Sequence, residues 1–249
     1  MAPHQMHTSV LASSDRYYLR AILPEDTNEV FDFLVKYYYP YEPINQSVNR
    51  IPVNIYQCSH GDTIKEGFSL MAVEKETGKL IGVSIQGLAR PGEDVDILMK
   101  AQAVAAFGAV KVAKSFEILA VLEREADMWT RLGVDRSLRV LATAVHSDYQ
   151  GLGLGAAFVV ASARLAQKHM IGSLSIITSS FYFANACRRL GGQLVHSVRY
   201  AEFTDDKGVP HLPVKAPHVA VTMWAFDPAD LSCRDAVARA PRRRSAAAI

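Results

Sequence analysis

Cysteine is scarce: Cys58, Cys187 and Cys233 are the three in 249 residues. An odd number at wide spacing fits neither a disulfide framework nor a zinc site, and it points to a reducing compartment. Long apolar runs are missing as well. No stretch approaches the ~20 residues of a membrane span, and residues 1–16 lack the apolar core of a secretory signal. A cytoplasmic protein with no membrane partner is expected. Charge of one sign is also absent, because 27 basic and 25 acidic residues leave a formal charge of +2. Phosphate-backbone recognition needs basic residues gathered on one face, so no nucleic-acid partner is expected. What remains is a chain 49% apolar and 21% charged, enough to bury one substantial core. The expected organisation is a single domain over residues 1–234. A basic tail over 235–249 follows, with Arg239, Arg242, Arg243 and Arg244 among alanines that have little to pack against.

A local absence is more telling. From Tyr149 to Ala201 there is no Asp or Glu, while Arg164, Lys168, Arg188, Arg189 and Arg199 are all present, a balance suited to a polyanionic ligand. This stretch opens with Gln150-Gly151-Leu152-Gly153-Leu154-Gly155, between a strand pattern at 139–146 and a helical pattern at 156–169. A strand, a glycine turn and a helix start form an anion site, since unpaired N–H groups and the helix dipole converge where no Cβ blocks approach. The spacing is not the dinucleotide fingerprint, which also requires an acidic ribose partner about 20 residues on. No Gly-Lys-Ser/Thr follows for a nucleotide-triphosphate loop. Taken alone, the glycines are equally consistent with a tight turn and nothing more.

Strand-like runs occupy residues 17–22, 67–74, 79–88, 139–146, 173–178, 193–203 and 219–226; the 67–74 and 79–88 pair is separated by a Gly78-containing turn typical of a hairpin. Helical spacing covers 26–36, 156–169 and 180–190. A longer helical insertion is expected at about 95–132, with Gly108 as a break. The first helix runs into Tyr37-Tyr38-Tyr39-Pro40-Tyr41-Glu42-Pro43, where two prolines stiffen the backbone around Glu42. The tyrosines are placed to desolvate Glu42 and to receive an aromatic or cationic ligand. On residue type alone, Glu42 also reads as a solvated loop carboxylate and the tyrosines as packing.

The segment from Ala144 through Gly155 resembles the Q/R-x-x-G-x-G/A loop, and the strand leading into it, of the GNAT acetyltransferase superfamily. Within that superfamily the chain is similar to the invertebrate arylalkylamine N-acetyltransferases. The similar segments are Glu42-Pro43-Ile44-Asn45, residues 67–88, the glycine loop, Ser179-Ser180 and Lys215-Ala216-Pro217-His218-Val219. The resemblance implies an α/β (α+β) GNAT fold, a mixed, mostly antiparallel sheet with helices on both faces. It implies acetyl-CoA as co-substrate, with no metal. Gln150, Gly151, Leu152, Gly153, Leu154, Gly155 and Ala156 would hold the pyrophosphate, Ala144, Val145 and His146 would line the pantetheine arm, and Ser180 would lie beside the cofactor. It implies a small primary amine as partner, with Tyr39, Tyr41, Glu42, Ser179, Tyr182 and His218 around it, in a monomer or weak homodimer. Glu42 takes the general-base role in this reading, with His146 as a second candidate and Ser179 as a candidate acid. Phe183 and Cys187 depart from the family's acid positions and leave the acid open between Ser179, Tyr182 and none. Two alternatives are a peptide or protein acetyltransferase of the same fold and a silent CoA-binding module.

Overall fold

The computed structural model describes residues 10–52 and 60–233; Cys58 and the tail at 235–249 lie outside them. The described strands are β1 (Ala12–Ser13), β2 (Tyr17–Ala21), β3 (Leu70–Glu74), β4 (Leu80–Ala89), β5 (Ser137–Val145), β6 (Leu174–Thr178), β7 (Gln193–Arg199) and β8 (Ala220–Phe226). They form one sheet in the order β1-β2-β3-β4-β5-β6-β8-β7. Every neighbouring pair is antiparallel except β5 with β6. The expected mixed, mostly antiparallel sheet is therefore observed.

Both faces of the sheet are buried, and the period-2 pattern of β3 shows how. Leu70 and Ala72 join one apolar cluster with Phe158, Ala161 and Leu165 of α7 (Leu154–Lys168). Met71 and Val73 join the opposite cluster with Val30, Phe33 and Leu34 of α1 (Thr27–Tyr37). Gly82 of β4 lies directly under α7: a Cβ there would stand 3.1 Å from the Phe158 ring and 3.2 Å from the Ala144 carbonyl.

The chain between β4 and β5 forms α4 (Glu93–Ala106), α5 (Val110–Ala126) and α6 (Met128–Leu132). Gly108, at φ +83°, makes the reversal between α4 and α5. Ile118 and Leu122 of α5 pack with Val198 of β7 and Val221 and Met223 of β8. A buried ionic cluster fastens the helices to the sheet: Arg139 of β5, 2% exposed, hydrogen-bonds Glu93 of α4 at 2.5 Å and also Glu123 of α5.

Two local expectations change, and one element is new. The strand expected over 193–203 ends at Arg199, and Tyr200 turns into the core. The chain after Glu42 is a one-turn helix, α2 (Pro43–Ser47), with a proline at its first position as helix starts favour. A second short helix, α3 (Gly61–Lys65), precedes β3. The remaining helices are α8 (Phe181–Arg189) and α9 (Pro228–Ser232).

Candidate active site

The site begins with a strand that leaves its neighbour. β5 pairs with β6 only from Leu138 to Val140, opposite Leu174 to Ile176. Ala142 pairs with Ile85 and Val140 with Gln86, so Leu141 is an extra residue, a bulge that reverses which face the following side chains meet. Val140 accordingly packs with α7, whereas Ala142 and Ala144 pack with α1. Beyond the bulge β5 and β6 separate into a cleft of about 1840 Å³. The His146 N–H donates to the Ile81 carbonyl. Strand alternation then turns the N–H groups of Val145 and Thr143 away from β4, toward the cleft.

The glycine turn closes one end of this cleft. Gly151 and Gly153 adopt φ of +74° and +82°, conformations that a side chain would strain. Gly153 caps α7 without any side-chain hydrogen bond, so the amides of the first helical turn face the cleft bare. Gln150, Gly151, Gly153, Leu154, Gly155 and Ala156 all line it, as do Ala144 and Val145. Leu152, expected to hold the pyrophosphate with them, is not among the lining residues. The Phe183 ring, at one of the two positions that depart from the family's acids, lies 3.5 Å from where a Gly155 Cβ would be.

Glu42 lines the same cleft as the glycine turn. Its carboxylate caps α2, accepting from the Ile44 N–H at 3.2 Å and the Asn45 N–H at 2.6 Å. The Ser179 hydroxyl, at the end of β6, donates to the same carboxylate in a short hydrogen bond. Burial is the largest influence on Glu42 and raises its pKa above the ordinary carboxylate value; the three hydrogen bonds and the Arg50 charge pull the other way without winning. A base held in one rotamer by three donors, with its proton affinity raised, is suited to taking a proton from an ammonium ion.

Ser180, Tyr41, Tyr182 and His218 also line the cleft. Ser180 caps α8 through the Phe183 N–H, and the His218 Nδ1 accepts from the Phe181 N–H at 3.1 Å. Burial lowers the pKa of His218. Two further expectations are corrected. Tyr39 is 1% exposed in the core cluster of α1, and its predecessor Tyr38 lines the cleft in its place. His146 is outside the cleft lining: its Nδ1 accepts from the Asp148 N–H, its Nε2 stands 3.0 Å from Lys79 Nζ, and its ring packs on Tyr37. Burial, reinforced by Lys79, lowers its pKa. The Nδ1 is therefore occupied by a backbone N–H, and Tyr37 covers the ring.

The structure adds residues for which the sequence carried no signal. Arg50 and His60 border the cleft, and so do Phe116, Glu123 and Arg139 from α5 and β5. Glu123 has its pKa pushed up to about 7, first by burial and then by the neighbouring Glu93, against the pull of Arg139. Cys187, fully buried, has its thiol pushed up to about 12 by burial, as an inert packing residue would. Among the described residues, no group of His, Cys, Asp and Glu is arranged to hold a metal ion, and no helix is long and apolar enough to cross a membrane.

No family model matches the chain. Solved structures of GNAT acetyltransferases nevertheless superpose along most of the chain. An apo-form mutant of agmatine N-acetyltransferase aligns at TM-score 0.75 and 22% identity, over 86% of this chain and 100% of that one. The Drosophila melanogaster polyamine N-acetyltransferase aligns at TM-score 0.74 and 21% identity, over 85% and 99%. Arylalkylamine N-acetyltransferase 2 from Aedes aegypti aligns at TM-score 0.77 and 18% identity, over the same shares. At these identities the likeness establishes the GNAT fold.

Proposed function

We propose that the protein is an acetyl-CoA-dependent N-acetyltransferase acting on a small arylalkylamine. The observation that carries this reading is the position of Glu42 and Ser179, in one cleft with the glycine turn and beside the parted end of β5. The residues present fit the co-substrate. The uncapped start of α7 and the backbone of Gly151 and Gly153 offer donors for a pyrophosphate, and the unpaired edge of β5 offers Thr143 and Val145 to an extended arm. When bound, acetyl-CoA supplies an activated acetyl thioester.

The protein's own contribution concerns the amine. An aliphatic amine with a pKa of about 10 is roughly 0.1% unprotonated at neutral pH. Restoring that fraction at the site corresponds to about 4 kcal/mol, at ~1.4 kcal/mol per pKa unit. Glu42 accepts the proton, directly or through a water, while Ser179 holds the carboxylate toward the open end of β5. The Val145 N–H serves as an oxyanion donor in this reading. Tyr38 and Tyr41, with Phe116 and Leu119 of α5, line the same cleft and wall the acceptor region in this reading. That wall favours a small aromatic amine over an extended peptide, and the three solved neighbours are named for small amines.

The test is release of free CoA from acetyl-CoA with tryptamine, serotonin, dopamine, tyramine, octopamine, agmatine, spermidine and a lysine peptide in parallel. Turnover concentrated on the aromatic amines is expected. Turnover on the peptide alone would select a peptide acetyltransferase, and acetyl-CoA binding with no turnover on any acceptor would select a silent binding module.

A further inference from the structure

Arg50 follows α2 in the chain, and beyond the pull of its charge on Glu42 it has no role in the chemistry described above. Its guanidinium lies over the Phe116 ring, 4.9 Å from the centroid, at the wall of the acceptor region. Among the described residues it forms no ion pair and its guanidinium makes no hydrogen bond. None of the acids that line the cleft pairs with Arg50. Glu93 and Glu123 are bound to Arg139, Glu66 accepts from the Leu88 N–H at 2.8 Å, and Asp96 of α4 is exposed and forms no ion pair among the described residues. Glu42 is held by Ser179 and two backbone amides, yet it lies near enough to feel the Arg50 charge. His60 is buried in the same wall with an unpartnered Nδ1, and burial together with Arg50 and Lys100 holds it neutral, at a pKa of about 4. An arginine stacked on a ring keeps its planar set of N–H donors in one orientation while leaving them unused, the usual arrangement for receiving a carboxylate. For a substrate that carried only an ammonium group, an unmatched cation beside the base would be a liability.

We propose that Arg50 is a specificity-determining residue that binds a carboxylate on the acceptor, so that the preferred substrate is an arylalkylamine bearing a carboxylate, an aromatic amino acid. The amine of such a molecule faces Glu42, its carboxylate meets the Arg50 guanidinium, and its ring lies between Tyr38 and Tyr41. This inference rests on the acetyltransferase reading for the amine, whereas the carboxylate site stands on Arg50 and its surroundings.

Two measurements separate the two ideas. Turnover compares tyrosine with tyramine and tryptophan with tryptamine, in the native protein and in Arg50→Ala, Arg50→Lys and Phe116→Leu. Calorimetry compares N-acetyltyrosine with N-acetyltyramine, which reports the carboxylate site without any chemistry. The native protein is expected to bind N-acetyltyrosine more tightly than N-acetyltyramine. Arg50→Ala should lower the tyrosine-to-tyramine ratio of kcat/KM about 10- to 100-fold, the range for losing a charge-assisted hydrogen bond, and mainly through KM. Arg50→Lys should recover part of that loss, and Phe116→Leu should shift the ratio in the same direction by less. Preferential, Arg50-dependent binding of N-acetyltyrosine with no turnover on any acceptor would support the carboxylate site and sink the acetyltransferase reading. Equal binding of the two products, no binding of N-acetyltyrosine, or an Arg50→Ala variant that weakens both products alike would overturn the proposal.

Discussion

Arg139 is one buried guanidinium shared by two carboxylates, so one negative charge in the cluster has no full counterion. Glu123, 5% exposed, is the member that gains a proton affinity near neutrality, at a pKa of about 7 against 4.5 for the free side chain. A raised carboxylate pKa means that the folded state keeps a proton the unfolded state has released. Its stabilising contribution is therefore complete below pH 4.5 and is lost as pH rises toward 7. About 2.5 pKa units at ~1.4 kcal/mol each give about 3 kcal/mol across that window. Glu123→Gln retains an oxygen for the Arg139 hydrogen bond but cannot ionise, which removes this slope. Urea unfolding followed by the fluorescence of Trp129 and Trp224 at pH 5, 6, 7 and 8 would measure it. The stability of the native protein should fall relative to the variant by about 3 kcal/mol between pH 5 and pH 8. Asp26, whose pKa is held down chiefly by Arg20, is ionised in both the folded and the unfolded chain throughout this window and adds no slope to the comparison. Parallel pH profiles for the two proteins would refute the shared-guanidinium argument.

Three other substitutions test separate parts of the account. Gly153→Ala places a Cβ on a residue at φ +82°, costing about 1–2 kcal/mol; calorimetry should show acetyl-CoA binding weakened several-fold or more. Gly82→Ala forces a methyl toward the Phe158 ring and the Ala144 carbonyl, and thermal unfolding should reveal a loss of about 1–3 kcal/mol. Ser179→Ala removes the strongest influence holding down the Glu42 pKa. The acidic limb of kcat/KM should then move to higher pH while acetyl-CoA binding is retained, and an unmoved limb would separate Ser179 from the base.

The glycine turn and its flanking strand and helix were legible because their signals are local: backbone freedom at Gly151 and Gly153, and an apolar pattern on either side. The two apolar runs around Gly78 similarly announced the β3–β4 hairpin. Contacts made across the fold left no such trace. The acids that meet Arg139 come from α4 and α5, 46 and 16 residues away in the chain, and nothing in their spacing pairs them with β5. The bulge at Leu141 depends on how β4 and β5 align, so the change of face between Val140 and Ala142 is invisible in the run itself. In the tyrosine cluster a one-residue difference in phase decides which ring is core and which lines the cleft. Tyr38 rather than Tyr39 borders the cleft because the helix ends at Tyr37 and the next residues turn. His146 sits where its strand position suggested, but its ring is taken up by Lys79, Asp148 and Tyr37, which only the fold brings to it.

In the proposed reaction Glu42 takes the proton from an amine that attacks acetyl-CoA. The most direct test is kcat/KM for CoA release by Glu42→Gln, with acetyl-CoA affinity measured on the same preparation. The account predicts a fall of about 100- to 10,000-fold, the range for losing a general base, with acetyl-CoA affinity preserved. A variant that binds acetyl-CoA and turns over at the native rate would contradict it.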